Sequence, residues 1–323
     1  MPLLASAHEA YVLPYKFFWQ TMRDGTSLRA FTALNNPQNL HLTLVIVGCT
    51  LVGLIANFLL RRTRLGTKMH LFLERYARFG THFIRIAIAV AFFFSAASYT
   101  FLGPELHLDL VPYAHLVQIA LYAMSVMIFL GIFTELAAAM GLILYLVGWF
   151  VFGSYLLTYL NYFGELVVLL LFGIRAFSID RLLFGRLRRF RTFEKHETTI
   201  VRVAYGLALM YAAVTVKLLH PELTVTVIHD WHLTQFHWLF PSDPILVTFG
   251  AGVVEFIIGL FIAVGFELRL TVLVSLFYIT LSLLYFRELV WPHLLLYGIS
   301  FNLLVQPERF TLDRILFKRR TRA

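Results

Sequence analysis

Charged side chains are scarce in this 323-residue sequence: Asp, Glu, Lys and Arg together make up 14% of it, while 59% is hydrophobic. A water-soluble domain carries roughly 25% charged residues, because its surface must be hydrated. The shortfall excludes a soluble globular fold and makes lipid the solvent for most of the chain. Short segments alternating apolar with polar residues are also missing, which excludes a transmembrane β-barrel. The apolar runs are long and unalternated, so they are helical. Only one cysteine occurs, Cys49, inside an apolar run. A single thiol rules out an internal disulfide, a dithiol relay, a cysteine-ligated zinc site and an iron–sulfur cluster, and Cys49 reads as a small packing residue. No flavin or nucleotide motif is present either.

What is there is a run of spans. Apolar stretches at 41–60, 82–102, 115–133, 135–153, 160–174, 201–220, 244–264, 268–286 and 291–306 predict an all-α, polytopic membrane helical bundle with about nine transmembrane helices. Residues 1–40 are aromatic-rich, with Tyr11, Tyr15, Phe17, Phe18 and Trp19 beside Lys16 and Arg23, and read as an interfacial segment. Segment 65–80 is amphipathic, with Lys68, Glu74, Arg75 and Arg78 on one face, and reads as a helix on the cytoplasmic surface.

The net charge of +9 resides in basic clusters abutting the spans, such as Arg61, Arg62, Arg64 and Lys68, or Arg186, Arg188, Arg189 and Arg191. Such clusters match anionic lipid head groups and not nucleic acid. With the N-terminus outside and the C-terminus cytoplasmic, only Lys16, Arg23, Arg29, Lys217 and Arg287 fall outside or at the outer edge. The same orientation puts all histidines but His70, His82 and His196 at the outer side.

An internal repeat is visible. Arg85–Leu106 (RIAIAVAFFFSAASYTFLGPEL) aligns without a gap on Arg202–Leu223 (RVAYGLALMYAAVTVKLLHPEL). Both units close alike, Ser178-Ile179-Asp180-Arg181 against Thr311-Leu312-Asp313-Arg314, a pattern that reads as a turn or cap. The expected organisation is an N-terminal part (1–80: interfacial segment, first helix, surface helix) followed by two parallel four-helix repeats, 81–195 and 196–323. Parallel repeats often place a site at their interface.

Among residues that carry chemistry, Glu255 stands first. It lies about 11 residues beyond Pro244, near the bilayer midplane, where an ionised carboxylate must be paired or protonated. Lys217 lies one turn below the outer end of its helix, with a stem long enough to reach toward Glu255. A proton-handling or quinone-binding pair and a purely structural buried pair both fit these residues. The loop His229-Asp230-Trp231-His232, continued to His237, offers imidazole and carboxylate ligands suited to copper or zinc. His220 and His293 sit at the same outer level. Interfacial His and Trp with no metal are the competing reading. Ala5-Ser6-Ala7 has the form of a signal-peptidase site whose cleavage would expose His8 as an amino-terminal copper chelate, although seven residues are too few for a signal peptide. Arg269 reads as a snorkelling anchor at the cytoplasmic surface.

Several of these features occur together in a recognisable order: Lys217-Leu218, then Gly252-Val253-Val254-Glu255, then Gly265 through Arg269, then Thr311-Leu312-Asp313. In that order they resemble the DoxX family over about residues 81–320. The first repeat departs from the pattern, with Thr100, Leu121 and Glu135 where the second has Lys217, Glu255 and Arg269. The resemblance implies a helical bundle and a link to membrane redox metabolism, since the family includes the membrane subunit of thiosulfate:quinone oxidoreductase. The expectation is therefore a membrane subunit of a quinone-linked redox system. Glu255 and Lys217 would serve as its catalytic pair, with His220 and His293 helping to bind the quinone. Its partners would be the bilayer and other membrane or extracytoplasmic redox subunits. A metal-ion or small-molecule transporter or sensor, and a non-catalytic scaffold, are the alternatives.

Overall fold

The computed structural model describes residues 12–61, 63–172, 179–180, 195–235, 241–306 and 310–316, without the side chains of residues 65, 67 and 78. Among these residues the fold is entirely helical, apart from one isolated bridge between Thr100 and His107. The helices are α1 (Tyr15–Arg23), α2 (Pro37–Arg61), α3 (Arg64–Glu74), α4 (Ala77–Ala97), α5 (Ala114–Leu130), α6 (Thr134–Phe152), α7 (Leu160–Phe172), α8 (Glu197–Ala212), α9 (Pro221–Asp230), α10 (Pro244–Val264), α11 (Leu268–Tyr285), α12 (Leu294–Val305) and α13 (Leu312–Leu316).

Among the described residues six helical stretches are long and apolar enough to cross a membrane: Pro37–Arg61, Phe79–Ala97, Thr134–Phe172, Glu197–Leu218, Pro244–Val264 and Leu268–Tyr285. The chain is thus a multi-pass membrane protein by helix length and composition. Two expected spans, 135–153 and 160–174, fall within one stretch of consecutive helical residues, Thr134–Phe172, in which Gly153, at φ +59°, breaks α6 and a 3-10 segment (Gly153–Tyr159) lets α7 pack back on it. Two others correspond to the shorter apolar stretches Ala114–Leu130 and Trp291–Val305. At about 1.5 Å per residue, 15 to 17 residues fall short of a hydrocarbon core about 30 Å thick.

The chain divides into two compact units. The first holds residues 1–69, 209–260 and 277–289. In it, α2 exposes its whole apolar window, as a helix solvated by lipid does. Cys49 is exposed there too, and is not the packing residue expected. Around the 3-10 turn Arg29–Asn35, Ala30 and Ala33 pack with Leu218, Leu246 and Phe249. Asn39 fastens this corner by donating to the Ala33 carbonyl at 3.0 Å and to Asp243 Oδ2 at 2.7 Å.

The second unit holds residues 70–208, 261–276 and 290–323. Here α4 packs on α5 and α12, and α6 packs on α5 and α7. Small residues set the approach. A Cβ on Gly298 would lie 2.7 Å from the Cβ of Ala87, and one on Gly141 would lie 2.7 Å from the Leu166 side chain. Close backbone approach through small residues is how helices associate when lipid removes the hydrophobic drive.

Two turns in this unit share one geometry. α5 ends at Gly131 and α10 ends before Gly265, both in the left-handed region, at φ +68° and +70°. Phe133 and Glu267, two residues later, also have positive φ. Asp180 accepts hydrogen bonds from the N–H groups of Phe133 (3.0 Å) and Thr134 (3.3 Å), while its own N–H donates to the Gly131 carbonyl. Asp313 does the same with Glu267 (2.7 Å), Leu268 (2.9 Å) and the Gly265 carbonyl. Each aspartate carboxylate thus satisfies orphan donors at the start of α6 or α11.

Arg269 does not snorkel. It is buried, pairs with Glu74 at 3.1 Å, and hydrogen-bonds His70 Nδ1 and the Gln306 carbonyl. The polar side of segment 65–80 therefore supplies partners to a buried guanidinium instead of facing only solvent.

Candidate functional site

The pair expected from sequence forms within the first unit. Lys217 Nζ lies 2.8 Å from Glu255 Oε2, with the two side chains 14% and 19% exposed. Both are partly desolvated yet still reachable, a combination that neither a surface ion pair nor a sealed structural pair has.

Local backbone explains how the two meet. Beyond α8 the helix widens into a π-helical turn, Ala213–Leu218, which carries Lys217. A π-turn shifts the helical register and re-aims side chains, and such turns occur frequently at functional sites. It also displaces carbonyl partners. Leu219 N–H donates to the Val214 carbonyl at 2.9 Å. The next carbonyl, that of Thr215, accepts instead from His220 Nδ1 at 2.6 Å. Ser27 N–H then closes on the Leu219 carbonyl at 2.7 Å. On the facing side, Gly252 lies one turn before Glu255. A Cβ at Gly252 would lie 2.7 Å from Leu218 Cδ2 and 3.2 Å from Lys217 Cβ. Glycine is needed there for α10 to approach the π-turn, and Glu255 then reaches Lys217.

His220 adds a third polar group at the end of this helix. Because a carbonyl can only accept, Nδ1 must carry the proton, so Nε2 of the neutral ring is a bare lone pair. His220 is buried, and Nε2 has no hydrogen-bond partner. The Lys217 ammonium and the Glu255 carboxylate supply the donor and acceptor types that a carbonyl or hydroxyl ligand needs.

His293 heads α12 in the second unit, where it is buried. His229 and Asp230 end α9 and His232 follows, all exposed. Among the described residues no group of three His, Cys, Asp or Glu side chains is placed to hold a metal ion. His8 and His237 lie outside the described residues.

Sequence reasoning missed the anchors Ser27, Asn39 and Asp243, which carry no local motif. It also missed Glu105, a buried acid of the second unit, bonded to Tyr155 and Tyr159. One signal could have found it: Tyr155, Tyr159 and Tyr162 recur at one-face helical spacing. Comparison of the chain with protein-family models, curated proteins and solved structures finds no match.

Proposed function

We propose that this chain is a DoxX-type membrane subunit of a quinone-linked redox system, with its site at Lys217 and Glu255. The observation that carries the reading is the ion pair itself, in a helix whose geometry is altered by a π-turn around Lys217. A quinone, when bound, supplies an acceptor of two electrons and two protons. The donor set suits it. The Lys217 ammonium can donate to a ring carbonyl, and the Glu255 carboxylate can accept from a ring hydroxyl and pass that proton on. His220, through Nε2, is a further acceptor at the same helix end. Electrons would enter from a partner redox subunit, because no flavin or nucleotide motif occurs in the sequence.

The same reading places nine spans in the membrane, with Ala114–Leu130 and Trp291–Val305 crossing as short helices where the bilayer thins. It puts the N-terminus outside, so that the basic clusters meet the anionic inner leaflet.

The test is ligand content. Protein extracted in mild detergent is assayed for bound quinone beside Glu255→Gln and Lys217→Met. Near-stoichiometric quinone in the wild type, lost in both variants, supports the proposal. A wild type that neither retains nor rebinds quinone overturns the function, and retention by both variants overturns the site.

A further inference from the structure

A buried acid lies in the loop between α4 and α5, in the second unit. The loop folds back through the Thr100–His107 bridge, and Phe101 N–H donates to the Leu106 carbonyl at 2.7 Å. Inside it, Glu105 is 3% exposed. Its Oε1 accepts from the Tyr155 hydroxyl at 2.9 Å and from the Tyr159 hydroxyl at 2.6 Å. Its Oε2 is buried with no hydrogen-bond partner. The hydroxyl of Tyr162 is also buried and unpartnered, and Tyr162 lies within electrostatic reach of Glu105. A Cβ at Gly103 would collide with the Tyr159 hydroxyl and with Glu105 Oε2, so glycine is required for the loop to close over the acid.

A carboxylate buried only for structure has bonds on both oxygens, because an orphaned charged acceptor costs several kcal/mol. Here two phenols load one oxygen and leave the other bare. A proton on Oε2 removes the orphaned charge, because a neutral acid costs far less to bury than a carboxylate. We propose that Glu105 is a proton-exchange site of the first repeat, separate from Lys217 and Glu255, which takes its proton at Oε2.

The titratable groups around it leave its proton affinity to burial. Tyr155 and Tyr159 donate to it from the 3-10 turn, and Tyr162 of α7 lies within electrostatic reach of it. On α6, Tyr145 spends its hydroxyl on the Leu156 carbonyl. His107 and Asp109 lie along the loop, and His115 of α5 stands against Tyr99. Burial pushes the Glu105 carboxyl up to about 7, against the opposing bonds from Tyr159, its own backbone and Tyr155. Proton exchange therefore falls in the neutral range.

Infrared difference spectroscopy of the full protein in lipid, titrated from about pH 5 to about pH 9, reads the site directly. A carboxylic C=O band with its midpoint near 7 is expected. It should vanish in Glu105→Gln and persist in Glu255→Gln. Tyr159→Phe removes a bond to the ionised form, so it should raise the midpoint, and this holds the test if Glu105→Gln does not fold. No such band, a band unaffected by Glu105→Gln, or a midpoint unmoved in Tyr159→Phe would overturn the proposal.

Discussion

At the scale of single residues, Lys217 and Glu255 are worth more as a pair than either is alone. Each is largely desolvated, so removing one takes from the other its ion-pair partner. Lys217→Met and Glu255→Gln should each lower stability by about 1–3 kcal/mol. The double variant should lose less than the sum, by about 1 kcal/mol or more. Thermal unfolding of the four proteins in one detergent measures this coupling, and additive losses would show that the contact is not energetic. Glu105 gives a pH prediction of definite sign. Its folded-state affinity for a proton, near 7, exceeds the ordinary carboxyl value of 4.5. The neutral acid therefore stabilises the fold fully below pH 4.5, and that stabilisation is lost as pH rises through 7. A shift of this size is worth up to about 3 kcal/mol. The unfolding temperature should fall between about pH 5 and about pH 8 in the wild type, and fall less in Glu105→Gln.

At the scale of elements, turns and close approaches hold the helices in place. Asp180 and Asp313 each bridge a helix start and a glycine carbonyl. Asp313→Ala should cost about 2 kcal/mol, at the upper end for a cap because the carboxylate is buried. Asp313→Asn, which keeps an acceptor, should recover part of that loss in the same unfolding assay. Gly252→Ala tests the approach of α10 to the π-turn. Its methyl would press on Leu218 and Lys217, for a loss of about 1–3 kcal/mol. A neutral result would mean that the helices can separate without penalty, and that the Lys217–Glu255 distance is not held by their packing.

At the scale of the whole molecule, the claim open to test is orientation across the bilayer. Asp109, exposed in the loop after α4, should lie outside, and Thr63, exposed between α2 and α3, should lie in the cytoplasm. In a Cys49→Ser background, an impermeant maleimide added to intact cells should label Asp109→Cys and spare Thr63→Cys. The opposite pattern would reverse the topology.

The medium and the fold class were settled by the sequence alone. Too few charges exist to hydrate a surface, and long apolar runs leave helices as the way to bond the backbone in lipid. Glu255 and Lys217 were legible because a charge inside an apolar run stands out against lipid. The two aspartates were legible as turn or cap residues from the local Ser/Thr-x-Asp-Arg pattern, but the helix starts that they cap lie 45 to 47 residues earlier and were not. Partner choice was not legible. A helix that is apolar all round carries no stripe to reveal its rotation, so which face meets which neighbour is absent from its periodicity. Only the tertiary structure could bring Glu74 and His70 onto Arg269, the phenols of Tyr155 and Tyr159 onto Glu105, and Lys217 through a π-turn to within 2.8 Å of Glu255.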